Sequence, residues 1–128
     1  VNIIDENIDY FQRERLTSLK IRFRQIGIEI GHSGMKDMEE IIPLLHSLRR
    51  PTFFTRDNDF YKPRLRHSRY CPVYLDMSLD EAADYIRRFL RHRLFRTQTQ
   101  RMGKVIRISS TGLTYWQAGS ERTRTVKW

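Results

Sequence analysis

Apolar residues recur along the chain in short bursts separated by polar turns, and the spacing inside each burst predicts its local structure. Val1–Ile4 is a brief apolar run that stops at Asp5-Glu6-Asn7 and reads as a strand. From Ile8 to Ile26 the positions Ile8, Phe11, Leu16, Leu19, Phe23 and Ile26 fall on one stripe of a 3.6-residue period. That stripe predicts a helix, with Asn7 able to cap its start and Gly27 able to end it. Ile28–Ile30 reads as a second strand, followed by the polar loop His32–Lys36. The next helix is predicted from Asp37, a good N-cap, with Glu39 and Glu40 in a first turn whose dipole favours anions. Pro43 lacks an N–H, so a kink or a second short helix beginning there is expected.

Pro51–Thr55 reads as a buried strand that ends at Arg56-Asp57-Asn58-Asp59. Residues 62–70 form a basic loop, and Cys71–Leu75 is a further strand. Ser78 and Glu81 match a capping box, and the helix after them keeps Leu79, Ala82, Ala83, Ile86, Phe89, Leu90 and Leu94 on one face. Lys104–Ser109 and Leu113–Gln117, joined by Ser110-Thr111-Gly112, predict a hairpin, and residues 119–128 a polar, basic and mobile tail. Strands alternating with helices predict an α/β protein, a three-layer α/β/α sandwich with a mainly parallel sheet and the hairpin added. Residues 1–118 are expected to form one domain, which suits a chain of 128 residues.

Fifteen aromatic residues supply core material that disordered chains lack. No apolar run approaches the ~20 residues that span a bilayer, and none resembles a signal peptide, so no membrane partner is expected. The single cysteine, Cys71, excludes an internal disulfide framework and predicts a reducing, cytoplasmic setting. Charge is distributed unevenly. Residues 1–84 carry 13 basic and 14 acidic side chains, whereas residues 85–128 carry 11 basic ones and only Glu121. Such asymmetry points to a polyanionic partner.

The acids fall where an open parallel sheet puts its ligand site, beyond the C-terminal ends of the strands. Asp5 and Glu6 follow the first strand, Asp57 and Asp59 follow the Phe53–Phe54 strand, and Asp37 opens a helix after the second strand. Like charges 4 Å apart repel by ~4 kcal/mol at an effective dielectric of 20. Protons, basic side chains or hard divalent cations must relieve that, and clustered carboxylates suit Mg²⁺ or Mn²⁺. An acidic floor inside a basic protein fits phosphodiester hydrolysis, with cationic side chains on the phosphates. Lys62, Arg64, Arg66 and Arg69 are the first choice for those contacts, ahead of Arg87, Arg88 and Arg91; Tyr61 and Tyr70 could stack on unpaired bases or equally be core-edge residues. Asp37 is equally readable as a plain N-cap, Asp57-Asn58-Asp59 as a plain turn, and Cys71 as core packing.

Ile3-Ile4-Asp5-Glu6-Asn7, then Asp37 followed by Met-Glu-Glu-Ile-Ile, then Phe54-Thr55-Arg56-Asp57-Asn58-Asp59-Phe60, resemble the PIN-like nucleases, in particular their short VapC-toxin-related branch. The resemblance covers residues 1–76, and Thr55–Phe60 is its most specific part. It implies a metal-dependent endoribonuclease using Mg²⁺ or Mn²⁺. Carried over by motif, Asp5, Asp37, Asp57 and Asp59 would be the catalytic carboxylates and metal ligands. Glu6, Asn7 and Thr55 would support them, and Arg56 would join the nucleic-acid contacts. Single-stranded RNA and a protein antitoxin are the implied partners, and pairing with a second copy of the chain stays open. Two other readings remain: a binding module on the same fold without catalysis, and a receiver-like domain that accepts a phosphoryl group on Asp57.

Overall fold

The computed structural model describes residues 1–128, and its centre is a single seven-stranded sheet. Five strands run parallel: β1 (Asn2–Ile4), β2 (Arg24–Gln25), β3 (Thr52–Thr55), β4 (Cys71–Asp76) and β5 (Lys104–Ser109). Two antiparallel strands, β6 (Gly112–Gln117) and β7 (Thr123–Val126), complete the order β2-β1-β3-β4-β5-β6-β7.

Successive residues of a strand point to opposite faces, and the inner strands therefore split their apolar residues between two cores. Ile4, Phe54, Val73 and Ile106 enter one core, under helices α1 (Tyr10–Ser18) and α3 (Ala82–Arg91). Ile3, Phe53 and Val105 enter the other, with Ile41 and Leu45 of a π-helical segment (Asp37–Ile41) that runs directly into α2 (Ile42–Ser47). The chain is thus an α/β protein with helices on both faces of a mixed sheet. No helix is long and apolar enough to cross a membrane.

The first helix is shorter than its periodicity predicts. Asp9, not Asn7, caps it by accepting from the Gln12 N–H, and Leu19 ends it where Lys20 takes a left-handed conformation (φ 61°). The apolar positions from Leu19 to Ile30 also fit an alternating pattern, and strand pairing wins over helix there. As a result β2 occupies Arg24–Gln25, and Ile28–Ile30 contributes only an isolated bridge between Ile26 and Ile30. Phe11, placed in the core by the helical stripe, is 75% exposed.

Pro43 sits in the first turn of α2, where its missing N–H is tolerated, and the π-helical segment precedes it. Residues 119–128 are not a free tail. Thr123–Val126 pairs with Leu113–Trp116 as β7, and Trp128 Nε1 donates to the Ser109 carbonyl at 2.6 Å. Close approach of β7 needs Gly112, where a Cβ would stand 2.7 Å from the Val126 carbonyl oxygen.

Charge segregates with strand direction. Residues leading into the parallel strands are basic: Arg22 and Arg24, Arg49 and Arg50, Arg69, Arg101. Residues at or after their C-terminal ends are acidic: Asp5 and Glu6, Asp57 and Asp59, Asp76.

Candidate functional site

In a sheet of order 2-1-3-4-5 the connections reverse direction between β1 and β3, and the crevice beyond those two strand ends is the usual ligand site. Asp5 follows β1 directly, and Asp57 follows β3 after Arg56. The π-helical segment brings Asp37 to the same crevice. Side-chain oxygens of Asp37, Asp57 and Asp59 all lie within 4.8 Å of one another.

Local backbone chemistry explains each placement. Asp57 caps the 3₁₀ turn Asn58–Phe60, its Oδ1 accepting from the Asp59 N–H at 2.9 Å, so the two acids are held side by side. Phe60 anchors that turn by packing edge-on to Phe53, with ring centroids 5.0 Å apart. Asp37 is the first residue of its segment; Lys36 precedes it and makes no side-chain cap. The N-cap reading of Asp37 is therefore replaced by one in which the carboxyl faces Asp57. Glu40 takes over the local capping, accepting from the Lys36 N–H at 3.1 Å and holding His32 Nε2 at 2.6 Å. Single π turns inside helices occur often at functional sites.

Asp5 is buried beneath this cluster rather than within the close trio. Its Oδ2 accepts from the Thr55 hydroxyl at 2.6 Å and its Oδ1 from the Glu6 N–H at 2.8 Å. Thr55 also accepts from the Asp57 N–H at 3.0 Å, so one hydroxyl links Asp5 to the loop carrying Asp57 and Asp59. Gln25, buried at the end of β2, donates to the carbonyls of Asp5 and Ile8 and fixes the turn after β1.

Proximity of the acids shows in their protonation. Asp37 is pushed up from 3.8 to about 6, chiefly by burial, then by its hydrogen bond to Asp57 and by the charges of Asp57, Asp5 and Asp59. Asp5 is raised as well, again first by burial, while its bonds from Thr55 and Glu6 pull the other way. A carboxyl raised by folding stabilises the folded state below its unfolded value and loses that contribution as pH rises through its folded value. Apo-protein stability should therefore fall from about pH 3.8 to about pH 6 through Asp37, and Asp37→Asn should remove that component. Denaturant midpoints measured across this range check it.

Replacing Thr55 by Val keeps the shape but leaves a buried carboxylate and the Asp57 N–H without their partner. Thr55→Val should destabilise by about 1–3 kcal/mol and drive the Asp5 carboxyl higher still, measurable by denaturation and by carboxyl-carbon NMR titration.

Other expected site residues disperse. Glu6 turns away to accept from the Gly34 N–H at 2.9 Å, and Asn7 is exposed in the turn beside it. Arg56 stays at the acid edge, its Nε and Nη2 both donating to the Met77 carbonyl. Lys62 and Arg64 are exposed along the connection to β4. Arg66 is committed to the C-terminal segment, bonding the Ser120 carbonyl and Glu121. Arg69 precedes β4 and so lies toward the opposite edge. Arg87, Arg88 and Arg91 line a separate cleft of about 420 Å³ beside Trp128, with Arg88 over the indole at 4.4 Å.

The proposed stacking role fails for Tyr70, which is buried. It does not fit Tyr61 either, which is half-buried, donates to Thr114 Oγ1 and packs on Trp116. Cys71 is a core residue, its thiol pushed up to about 12 by burial.

Asp76, the last residue of β4, adds a charged pair with Arg107 at the acid edge. The signal that marked Asp57, an acid closing a buried strand, also marks Asp76. Fold and site together define an α/β protein with a carboxylate-lined crevice at the reversal point of its sheet. Comparison with family models, with curated proteins and with solved structures gave no match.

Proposed function

We propose that this protein is a divalent-cation-dependent phosphodiesterase acting on RNA, an endoribonuclease of PIN-like type. The convergence of Asp37, Asp57 and Asp59 carries the reading: three oxygen donors within 4.8 Å of one another, one of them raised to about 6 by burial and by its neighbours. The donor set fits Mg²⁺ or Mn²⁺. All three donors are hard carboxylate oxygens, and a spacing within 4.8 Å admits the ~3–4 Å separation of ligands around an octahedral ion with bonds of ~2.1 Å.

Asp37, Asp57 and Asp59 would hold the ion. When bound, it supplies Lewis acidity and a water of lowered pKa. Asp5 adds negative potential from below while Thr55 fixes its orientation and that of the Asp57 backbone. Arg56, braced on the Met77 carbonyl beside Asp57, offers its remaining N–H groups to a phosphate at the rim.

Incubation of single-stranded RNA with the protein and Mn²⁺ or Mg²⁺ tests the reading. Cleavage that a chelator abolishes is expected, together with a rise in melting temperature on adding metal, since a ligand at ~100 Kd adds ~2.7 kcal/mol. Absence of both at millimolar metal counts against it.

The strand order favours a second reading, because 2-1-3-4-5 is also the order of receiver-like phosphoacceptor domains. Asp57 would then be modified by acetyl phosphate. Against it, Asp59 stands in the same cluster with no role in phosphoryl acceptance.

A further inference from the structure

Arg101 is 5% exposed and has no carboxylate within ion-pair distance. Its Nε donates to Thr52 Oγ1 at 2.9 Å and its Nη1 to the Phe95 carbonyl at 2.8 Å. These bonds use two of five N–H groups. No protein partner meets Nη2, which is not sealed from solvent, and the residue lines a cleft of about 410 Å³. An isolated buried cation is strongly disfavoured unless an opposite charge or a set of dipoles compensates it.

The surroundings make the imbalance larger. Arg22 and Arg24 line the same cleft with Val1, Asn2, Phe23 and Gln98; no acidic side chain is among the lining residues, and Glu29, whose charge reaches Arg24, is paired with Arg13. Lys104, close behind, bonds only the Gln100 carbonyl, and Cys71 is held neutral by burial. The cleft lies where β1, β2 and β3 begin, at the opposite edge of the sheet from the acids and about 10 Å away by strand rise.

We infer that this cleft is an oxyanion site, built to take a phosphate-type group on Arg101 with Arg22 and Arg24 closing over it. Arginine forks match the oxygens of a tetrahedral anion, and the buried one is pre-oriented by Thr52 and Phe95. The inference goes beyond the phosphodiesterase reading and stands without it, because no acid-edge residue takes part.

The test follows the Arg101 Nε–H resonance of the full chain during titration with inorganic phosphate. A saturable shift is expected. The double variant R22Q/R24Q, which keeps both internal bonds of Arg101, should weaken phosphate by about ten-fold or more, about 1.4 kcal/mol. R15Q, at an α1 arginine paired with Asp84, should leave it unchanged. A second arm compares an oligonucleotide bearing a 5′-phosphate with the same strand ending in a hydroxyl. Preference for the phosphorylated strand identifies a strand end as the source, and equal weak binding of both identifies a small free anion. No saturable shift, or a shift that R22Q/R24Q leaves intact, overturns the site.

Discussion

Asp57→Asn should abolish metal-dependent RNA cleavage, by at least about 100-fold, while making the metal-free protein more stable. The two effects have one cause. Among the neighbouring acids Asp57 raises the Asp37 carboxyl most, by hydrogen bond and by charge, and it is one of the three oxygen donors to any shared ion. Asparagine keeps an oxygen that can accept from the Asp59 N–H, so the 3₁₀ turn at Asn58–Phe60 should persist. Without the Asp57 charge, the Asp37 carboxyl should fall back toward its ordinary value of 3.8.

Relief of repulsion at a partly exposed site is worth about 1 kcal/mol or less. The thermal shift produced by Mn²⁺ in the parent should shrink or vanish in the variant, while RNA affinity should hold or rise because the crevice repels phosphate less. Cleavage assays, melting curves with and without Mn²⁺, and RNA binding in chelator measure the three quantities. A variant that still cuts RNA at the parental rate would sink the metal-site reading.

Phe54→Ala should destabilise the fold by about 3–5 kcal/mol, whereas Phe11→Ala should change it by no more than about 0.5 kcal/mol. Phe54 is fully buried on β3 and meets Phe89 of α3 edge-on, with centroids 5.8 Å apart. It also directly precedes Thr55, so a collapsing cavity there would disturb the hydroxyl that links Asp5 to Asp57. Out of a total of ~5–15 kcal/mol for a domain, such a loss is a large fraction. Phe11 packs against Tyr10 at the surface and little else is disturbed by its removal. Equal losses from the two substitutions would contradict the layer assignment.

Both phenylalanines sit in apolar stretches, and periodicity alone ranks them alike. What separates them is which face of α1 packs inward: Gln12 and Leu16 are its buried residues, and Phe11 lies off that face. Between Leu19 and Ile30 the spacing of apolar residues satisfies a helix and a strand, and only the parallel pairing of Arg24–Gln25 with Ile3–Ile4 decides between them.

The acids of the crevice were legible because each follows a short apolar strand, and strand direction alone then collects them at one edge. Asp37 was legible only beside an equal reading as a plain N-cap, since its freedom from capping depends on a π turn set by hydrogen bonds further along the segment. β7 was invisible because Thr-Arg-Thr-Val has no apolar face of its own and gains its place only by pairing with β6. Arg101 escaped notice because its burial rests on Thr52, 49 residues away in sequence. The capping box of Thr97 and Gln100, which positions that arginine, was readable as a local signal.

β7 leaves one margin of the sheet unpaired, with its outward backbone groups open to another chain. An unguarded margin invites chain-to-chain strand addition and fibre growth. Arg122, Arg124 and Lys127, on and beside that strand, place repelling cations along it. At the opposite margin β2 offers only two residues for such templating. Neutralising those three cations should make the protein prone to aggregate long before it becomes less stable.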